Sequence, residues 1–312
     1  MVMNSYSPEG MLISTEKNYR YISSEKGLEE ALRDGAILEA PVLLCDSEFN
    51  LHVELPSGLA GIIPKDEVIY SREGEPAKDI AILTRVGKIA AFKVLGFVKR
   101  GGRQIALLSR RAAQRECYEN FISDIVPGDI IPARVTHLES FGAFVDIGCG
   151  IVSLLSIDCI SVSRISHPSA RLAVGDVIRT VVKSVDERGR LSVSMRELLG
   201  SWEENAAGFR EGETVRGIVR SIESYGIFVE LTPNLAGLAE YREDVLVGQT
   251  AAIYIKSIIP EKMKIKLIII DVFDEPKKKL LPKYFIDTEN VSHIDSWSYS
   301  PRAAKKIIES VF

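Results

Sequence analysis

The sequence has few cysteines and no long apolar run. Its four cysteines are widely scattered and form no CxxC pair, a pattern that favours reduced, mostly buried thiols over a metal site or disulfides. No stretch approaches the roughly 18 apolar residues of a transmembrane helix, and the N-terminus has no basic segment followed by an apolar run. We therefore expect a soluble, cytoplasmic protein with no membrane partner.

An excess of positive charge is also missing. The 312 residues include 39 Lys and Arg against 43 Asp and Glu, for a formal net charge of −4. Phosphate neutralisation supplies most of the affinity of non-specific duplex binders, so the composition argues against that class. It is compatible with a binder that uses stacking and local charge. The sequence contains no P-loop, HExxH or GxSxG motif, so we expect neither an enzyme nor a cofactor or metal.

What the sequence does contain is a repeated strand. Phe141-Gly-Ala-Phe-Val-Asp-Ile returns as Tyr225-Gly-Ile-Phe-Val-Glu-Leu and, more weakly, as Phe49-Asn-Leu-His-Val-Glu-Leu. The two clear copies lie 84 residues apart, and so do Gly128 and Gly212, which precede them. Each copy belongs to a unit with about five short strands, and short helical stretches separate the units. The repeat therefore predicts an all-β chain of three small barrels.

Alternation within the repeated strand places an aromatic ring outside the core. With a period of two, residues 143, 145 and 147 are small or apolar and face inward. Phe144 shares the outward face with Gly142 and Asp146, where we expect water. A large aromatic on that face has lost the burial that usually accounts for it. A flat ring on an open sheet suits a stacked base.

Residues 127–196 resemble the S1-type RNA-binding domain family, whose fold is a five-stranded OB barrel. The resemblance runs through Ser140-Phe-Gly-Ala-Phe-Val-Asp146, Arg164-Ile-Ser-His-Pro-Ser169 and Gly189-Arg-Leu-Ser-Val-Ser194. Residues 211–272 resemble the same family less completely. Residues 35–111 are similar to the first domain of the bacterial ribosomal protein S1 family. The whole chain thus resembles a short, three-domain relative of that family.

The resemblance implies three tandem OB-fold (S1-type) barrels joined by short helical linkers. The predicted division is an N-terminal extension (1–34), a degenerate barrel (35–111), a helical linker (112–126), the barrel with the best RNA site (127–196), a second helical linker (197–210), a divergent barrel (211–272) and a C-terminal tail (273–312).

The two ends of the chain carry their own signals. Residues 23–33 predict a short helix that ends at Asp34-Gly35. In the tail, Ser300 followed by Pro301 predicts a helix whose apolar stripe contains Ala304, Ile307 and Ile308. The tail could pack on the third barrel or dock a ribosome or another partner. The run Lys277-Lys-Lys279 predicts a solvated linker.

Site residues follow from the resemblance, position by position. The family histidine is replaced by Leu154 in the second unit, which removes a polar contact, and by Glu240 in the third, which repels phosphate. Phe141 has the alternative of a core residue at a strand end, and His167 that of a loop residue whose ring bonds backbone groups. The implied RNA contacts are Phe141, Phe144, Asp186, Arg190 and His167 in the second unit, and Tyr225, Phe228 and Lys264 in the third.

The first unit has Phe49 and His52 at the aromatic positions, so we expect it to have exchanged binding for docking. Three hypotheses about function follow. The chain binds mRNA in translation, or it binds RNA as an accessory factor of transcription or RNA decay, or it is a scaffold that docks a ribosome or polymerase. The expected partner is single-stranded RNA, with the small ribosomal subunit as a further candidate, and the protein is expected to be a monomer.

Overall fold

The computed structural model describes residues 6–72, 78–274 and 282–312. Over these residues the chain is mostly β, as predicted. The predicted linker at residues 277–279 lies outside them. Contacts divide the chain into two compact units, which are Met1–Ile125 with Pro132–Arg134 and Asp146–Val152, and Val126–Ile131 with Val135–Val145 and Ser153–Phe312. No helix within the described ranges is long and apolar enough to cross a membrane.

The N-terminal extension contains two short helices, α1 (Glu16–Ile22) and α2 (Glu25–Asp34). Helix α2 begins where the Ser24 hydroxyl accepts the Gly27 N–H at 3.0 Å. It ends at Gly35, whose φ of 62° is the left-handed conformation that glycine adopts without strain. This helix confirms the prediction for residues 23–33, and its apolar side packs on the core of the first barrel.

The first barrel follows this extension. Its five strands form a closed sheet in the order β1-β2-β3-β5-β4, and β3 and β5 are parallel. Phe92, Leu51 and Ile63 are completely buried inside it. Its elements are β1 (Leu38–Cys45), β2 (Leu51–Glu54), β3 (Ala60–Ile63), helix α3 (Asp79–Leu83), β4 (Ile89–Arg100) and β5 (Arg103–Ser109).

The second barrel begins after helix α4 (Arg110–Asn120), which lies in the predicted linker region. Its sheet closes in the order β10-β8-β7-β6-β9. Residues 143, 145 and 147 are buried, as the period of two predicts. Gly142 has no room for a side chain, because a Cβ there would lie 2.5 Å from the Leu155 carbonyl oxygen. The strands are β6 (Ile130–Glu139), β7 (Gly142–Gly148), β8 (Ile151–Ser156), β9 (Val177–Val185) and β10 (Leu191–Ser194).

The third barrel has the same strand order as the first. Helix α5 (Trp202–Ala206) precedes it and starts with a reciprocal capping box between Ser201 and Glu204. The sheet closes in the order β11-β12-β13-β15-β14, with β13 and β15 parallel. Its strands are β11 (Thr214–Glu223), β12 (Gly226–Thr232), β13 (Leu235–Ala239), β14 (Thr250–Ile259) and β15 (Lys264–Phe273).

The predicted helix in the C-terminal tail is wrong. The tail instead forms an antiparallel pair, β16 (Ser296–Ser298) with β17 (Glu309–Val311). The Ser300 hydroxyl accepts the Ile308 N–H at 2.8 Å across this hairpin, so it does not cap a helix. Extended backbone lets alternate residues of this segment bury large rings, and Trp297 and Tyr299 join the core of the third barrel.

The described part of the tail also packs on the second barrel. Tyr284 and Ile286 contact a cluster that contains the buried Val181 and Leu198. Backbone hydrogen bonds continue the contact, since Ile130 N–H donates to the Ser292 carbonyl at 2.7 Å. Packing, the simpler of the two expectations for the tail, is therefore what these residues show.

Candidate nucleic-acid interface

The second barrel presents a row of three rings. Phe141 lies in the turn before β7 and is 52% exposed, so it is not a core residue. Its ring meets Phe144 edge to face, with centroids 6.0 Å apart and an interplanar angle of 87°. His137, from β6, lies nearly parallel to Phe144 at 6.5 Å and 22°. The sequence left His137 open as an RNA contact or a loop residue, and alternation along β6 could not decide, because it places His137 on the side of the buried Ala133 and Val135.

Backbone contacts fix this row of rings. The Phe141 carbonyl accepts the Ile157 N–H at 2.9 Å, which joins the start of β7 to the end of β8. The Thr136 hydroxyl donates to the Phe144 carbonyl at 3.0 Å. Because these bonds and the missing side chain at Gly142 set the backbone, the rings are held in place without being buried.

The expectation that Asp146 faces water is wrong. This carboxylate is 1% exposed and accepts the backbone N–H groups of Glu9 at 2.7 Å, Gly148 at 2.8 Å and Gly150 at 3.0 Å. It does point away from the barrel core, but the N-terminal extension covers it. Burial, together with the nearby Glu9 carboxylate, raises the pKa of Asp146 above its ordinary value.

Asp186 and Arg190 form one exposed turn between β9 and β10. Asp186 accepts the backbone N–H of Arg188 at 2.9 Å and of Arg190 at 2.8 Å. It also accepts the Arg190 Nε–H at 2.8 Å. The backbone and side-chain hydrogen bonds from Arg190 lower the pKa of Asp186. The Arg190 side chain is 72% exposed, and the bond to Asp186 uses one of the five N–H donors of its guanidinium.

His167 has a local role in the structure. Its Nδ1 accepts the Ser169 N–H at 3.1 Å and lies 2.8 Å from the Ser169 hydroxyl. The ring thereby caps the 3-10 turn Pro168–Ala170. This is the loop role that the sequence left open as an alternative. Within the ranges that the structure describes, no ring contact joins His167 to the row of three rings.

The third barrel carries the second copy of the aromatic pair. Tyr225 is 67% exposed and meets Phe228 edge to face at 6.2 Å and 87°. Strand register pairs Phe228 with Leu238, and Leu238 with Lys266. Lys266 therefore shares the row of Phe228, whereas the predicted Lys264 lies two residues away on the same strand. Both lysines are exposed, and only the register distinguishes them.

Glu230 occupies the position in the third barrel that Asp146 occupies in the second. It is 5% exposed, although alternation places it, like Asp146, on the outward face of its strand. Arg171 donates to both carboxylate oxygens at 2.6 Å, and Arg220 also donates to both, at 2.7 and 3.1 Å. Burial on its own would raise the pKa of Glu230, but hydrogen bonds from Arg171 and Arg220 lower it.

The first barrel has no comparable exposed pair. Phe49 is partly buried against the barrel core, and the Lys65 ammonium lies 4.4 Å from its ring centroid. His52 Nε2 is 3.1 Å from an Asp46 carboxylate oxygen. The side chains at the two positions that correspond to the aromatic pair are therefore engaged in contacts within this barrel.

The described residues contain no group of three or more His, Cys, Asp or Glu side chains placed to hold a metal ion. All four cysteines are free thiols, three of them buried, as the sequence predicts. The chemistry that the faces offer is stacking on rings and charge from exposed cations.

Comparison with known proteins assigns a family to the second barrel. Residues 125–196 match the family model described as the S1 RNA binding domain. The chain carries an S1 domain. This S1 domain comprises the second barrel, including the row of three rings and the turn between β9 and β10.

Similarity extends beyond the S1 domain. Small ribosomal subunit protein bS1 of Staphylococcus aureus (strain COL) is 28% identical over 74% of this chain and 56% of its own length. The protein of the same name from Staphylococcus saprophyticus is 30% identical over the same shares. The chain thus spans about half the length of the curated relatives it matches. A multidomain protein with nucleic acid binding domains from Streptococcus pneumoniae aligns at 14% identity, with a TM-score of 0.25 over 76% of this chain and 73% of that chain.

Proposed function

We propose that the chain binds single-stranded RNA, with the S1 domain as its principal site and the third barrel as a weaker one. The observation that supports this most directly is the exposed pair Phe141 and Phe144 on the S1 domain, with His137 stacked beside it. Bases stack on such rings with little regard to sequence, and each base contributes about 1–3 kcal/mol. The backbone of the strand then passes near exposed cations, Arg190 in the S1 domain and Lys264 with Lys266 in the third barrel.

The finer proposal is a role on mRNA in translation, with the small ribosomal subunit as a partner. All three closed sheets are in this proposal S1-type OB barrels in tandem, divided as the sequence predicts. The protein is then a cytoplasmic, monomeric binding protein and not an enzyme. Similarity to small ribosomal subunit proteins over 74% of the chain supports this role.

Fluorescence anisotropy with an unstructured RNA oligonucleotide tests the proposed function. The double variant Phe144→Ala with Arg190→Ala should lose most of its affinity, and binding by the wild-type chain should weaken as salt rises. The matched control is Tyr19→Ala with Arg103→Ala, which removes an exposed ring and an exposed arginine from outside both faces. Equal affinity of the two double variants would contradict the site. Equal affinity for duplex and single-stranded RNA would contradict stacking.

A docking role for the first barrel is a second candidate. The contact of Lys65 with Phe49 favours it, because the ring at the first aromatic position is already covered by a cation of the same barrel. The full chain carrying Phe144→Ala and Phe228→Ala tests this candidate by co-sedimentation with ribosomes. Sedimentation that persists after RNA binding is lost would support docking. Sedimentation that disappears in parallel with RNA binding would contradict it.

A further inference from the structure

A cavity of about 360 Å³ is lined by the segment that follows β8 in the S1 domain. Its wall includes Ile157, whose N–H donates to the Phe141 carbonyl at 2.9 Å. Small-molecule pockets are typically about 300–1,000 Å³, so a single nucleotide unit is within its capacity. Through Ile157 the wall of the cavity is joined to the backbone that carries the outer ring of the aromatic pair.

The cavity walls are fixed by hydrogen bonds that do not involve a ligand. Val162 N–H donates to the Asn234 side-chain oxygen at 3.0 Å, which holds the loop after β8 against the third barrel. Ile308 closes another side from the tail hairpin. Together with Ile157 and Ile165 these side chains give the cavity apolar walls that suit the face of a base.

The polar lining of the cavity carries a net positive charge. Arg196 is held by Glu197 at 3.1 Å and by Ser310 at 3.3 Å. Arg164 is exposed, and among the residues that the structure describes none forms an ion pair or hydrogen bond with it. Asp158 is the one carboxylate in the lining. Because Arg196 is already paired with Glu197, Arg164 is the guanidinium of the lining that is left for a phosphate at the rim.

We propose that this cavity binds one nucleotide of the RNA strand, next to those stacked on Phe141 and Phe144. The base lies against the apolar wall, and Arg164 pairs with its phosphate. The Asp158 carboxylate accepts a hydrogen bond from an exocyclic amino group, so the cavity prefers cytosine or adenine to uracil. This inference rests on the proposed function and adds a base preference that stacking on rings does not supply.

Filling the cavity provides the first test. Ile308→Trp places a larger side chain inside it, while Ile307→Trp changes a neighbouring residue that is 70% exposed. Anisotropy with the full chain and a cytosine-rich oligonucleotide should show affinity about tenfold lower for Ile308→Trp than for Ile307→Trp, the loss of roughly one stacked base. Equal affinity of these two variants, with binding still lost in Phe144→Ala, would overturn the cavity and leave the proposed function standing.

The charged lining provides a second test, in which no residue of the tail hairpin is changed. Arg164→Gln removes an exposed charge and should reduce the slope of log affinity against log salt by about 0.7, the value for one phosphate of a single strand. Arg103→Gln, on the first barrel, is the matched control. An unchanged slope for Arg164→Gln would overturn the phosphate contact.

Base preference is the third measurement. The wild-type chain should bind oligo(C) more tightly than oligo(U) of the same length, and Asp158→Asn should reduce that preference. No preference in the wild-type chain would overturn the assignment to Asp158. Failure of every RNA to bind the wild-type chain would overturn the cavity and the proposed function together.

Discussion

The second and third barrels carry aromatic pairs of almost the same geometry on different electrostatic backgrounds. The pairs meet at 6.0 and 6.2 Å, both at 87°. Residues 127–196 carry eight Lys and Arg against seven Asp and Glu, whereas residues 211–272 carry seven against nine. Since the rings are placed by the repeated backbone, their geometry has survived while the charges around them have changed.

The two barrels also differ in the side chains that lie beside Phe144 and Phe228 on the neighbouring strands. Phe144 has His137 stacked beside it, whereas register pairs Phe228 with Ser221 on one side and Leu238 on the other. On the far side of the row the third barrel has Lys266. The second barrel therefore offers an additional ring and the third an additional cation. Stacking and charge are thus separable contributions within one chain.

Breaking the buried ionic contact of the third barrel should have the largest effect. Glu230→Ala leaves Arg171 and Arg220 buried without their carboxylate, and we expect a loss of about 3 kcal/mol in the free energy of unfolding. Urea unfolding followed by tryptophan fluorescence measures this, because Trp202 and Trp297 both lie in the core of the third barrel. A loss below about 1 kcal/mol, the usual value of an exposed ion pair, would contradict the buried network.

The dependence of stability on pH should separate the two barrels. The folded-state pKa of Glu230 is lowered, so its stabilisation is present above pH of about 4 and is lost as the pH falls through that lowered value. The pKa of Asp146 is raised, so its contribution is complete below pH of about 4 and is lost as the pH rises toward the raised value. Glu230→Ala should reduce acid sensitivity, and Asp146→Asn should flatten the decline at rising pH. Urea unfolding repeated from pH 2 to pH 8 measures both, and a shift of the same sign in the two variants would contradict the contrast.

Removing each aromatic pair in turn tests which barrel binds RNA more tightly. Phe141→Ala with Phe144→Ala should weaken binding of a short single strand by about 30-fold or more, since two stacked bases are lost. Tyr225→Ala with Phe228→Ala should weaken binding by about fivefold, because we expect fewer bases to stack on the third barrel. Anisotropy on the full chain measures both. A larger loss from the third barrel would reverse the assigned order.

Exchanging the third ring sharpens the comparison of the two rows. His137→Ser gives the second barrel the residue of the third, and we expect about threefold weaker binding, less than the loss of a fully stacked base. Ser221→His makes the reverse change and should strengthen binding through the third barrel. Both variants are measured against their parent in the same anisotropy assay. No change in either direction would show that His137 does not contribute.

The smallest effect is expected at Glu240. This exposed carboxylate follows β13, and Glu240→Gln should raise affinity about twofold at low ionic strength by removing repulsion of phosphate. The gain should disappear in high salt, where exposed charges are screened. Leu154→Gln in the S1 domain is the control, because it removes no charge. The 84-residue offset makes Leu238 the counterpart of Leu154 in β13, so Glu240 lies two residues beyond the position that the sequence assigned to it. A gain that persists in high salt would contradict an electrostatic origin.

The sequence predicted the three-barrel repeat and the two aromatic pairs because both depend on local periodicity. A period of two identifies Phe144, and a spacing of 84 residues identifies its copy at Phe228. The choice between Lys264 and Lys266 needed strand register, which shifts at β-bulges that no local pattern reveals.

The sequence could not predict which surface residues are buried by segments that lie far away along the chain. Asp146 is buried by a residue 137 positions away, and Glu230 by an arginine 59 positions away. The tail is a second example. Its apolar spacing up to Ile308 predicted a helix, but the segment forms a hairpin that buries Trp297 and Tyr299 on the third barrel. In each case tertiary packing outweighed a valid local preference.

The contact between Glu9 and Asp146 can form only late in the synthesis of the chain. Glu9 also holds the buried guanidinium of Arg110 at 2.6 Å and accepts the Ala91 N–H at 3.1 Å. The chain emerges from its N-terminus at about 5–20 residues per second, so Glu9 is made many seconds before Asp146 exists. During that interval the N-terminal segment lacks the strand that later covers it. A nascent chain stopped before residue 146 should therefore leave this segment open to protease.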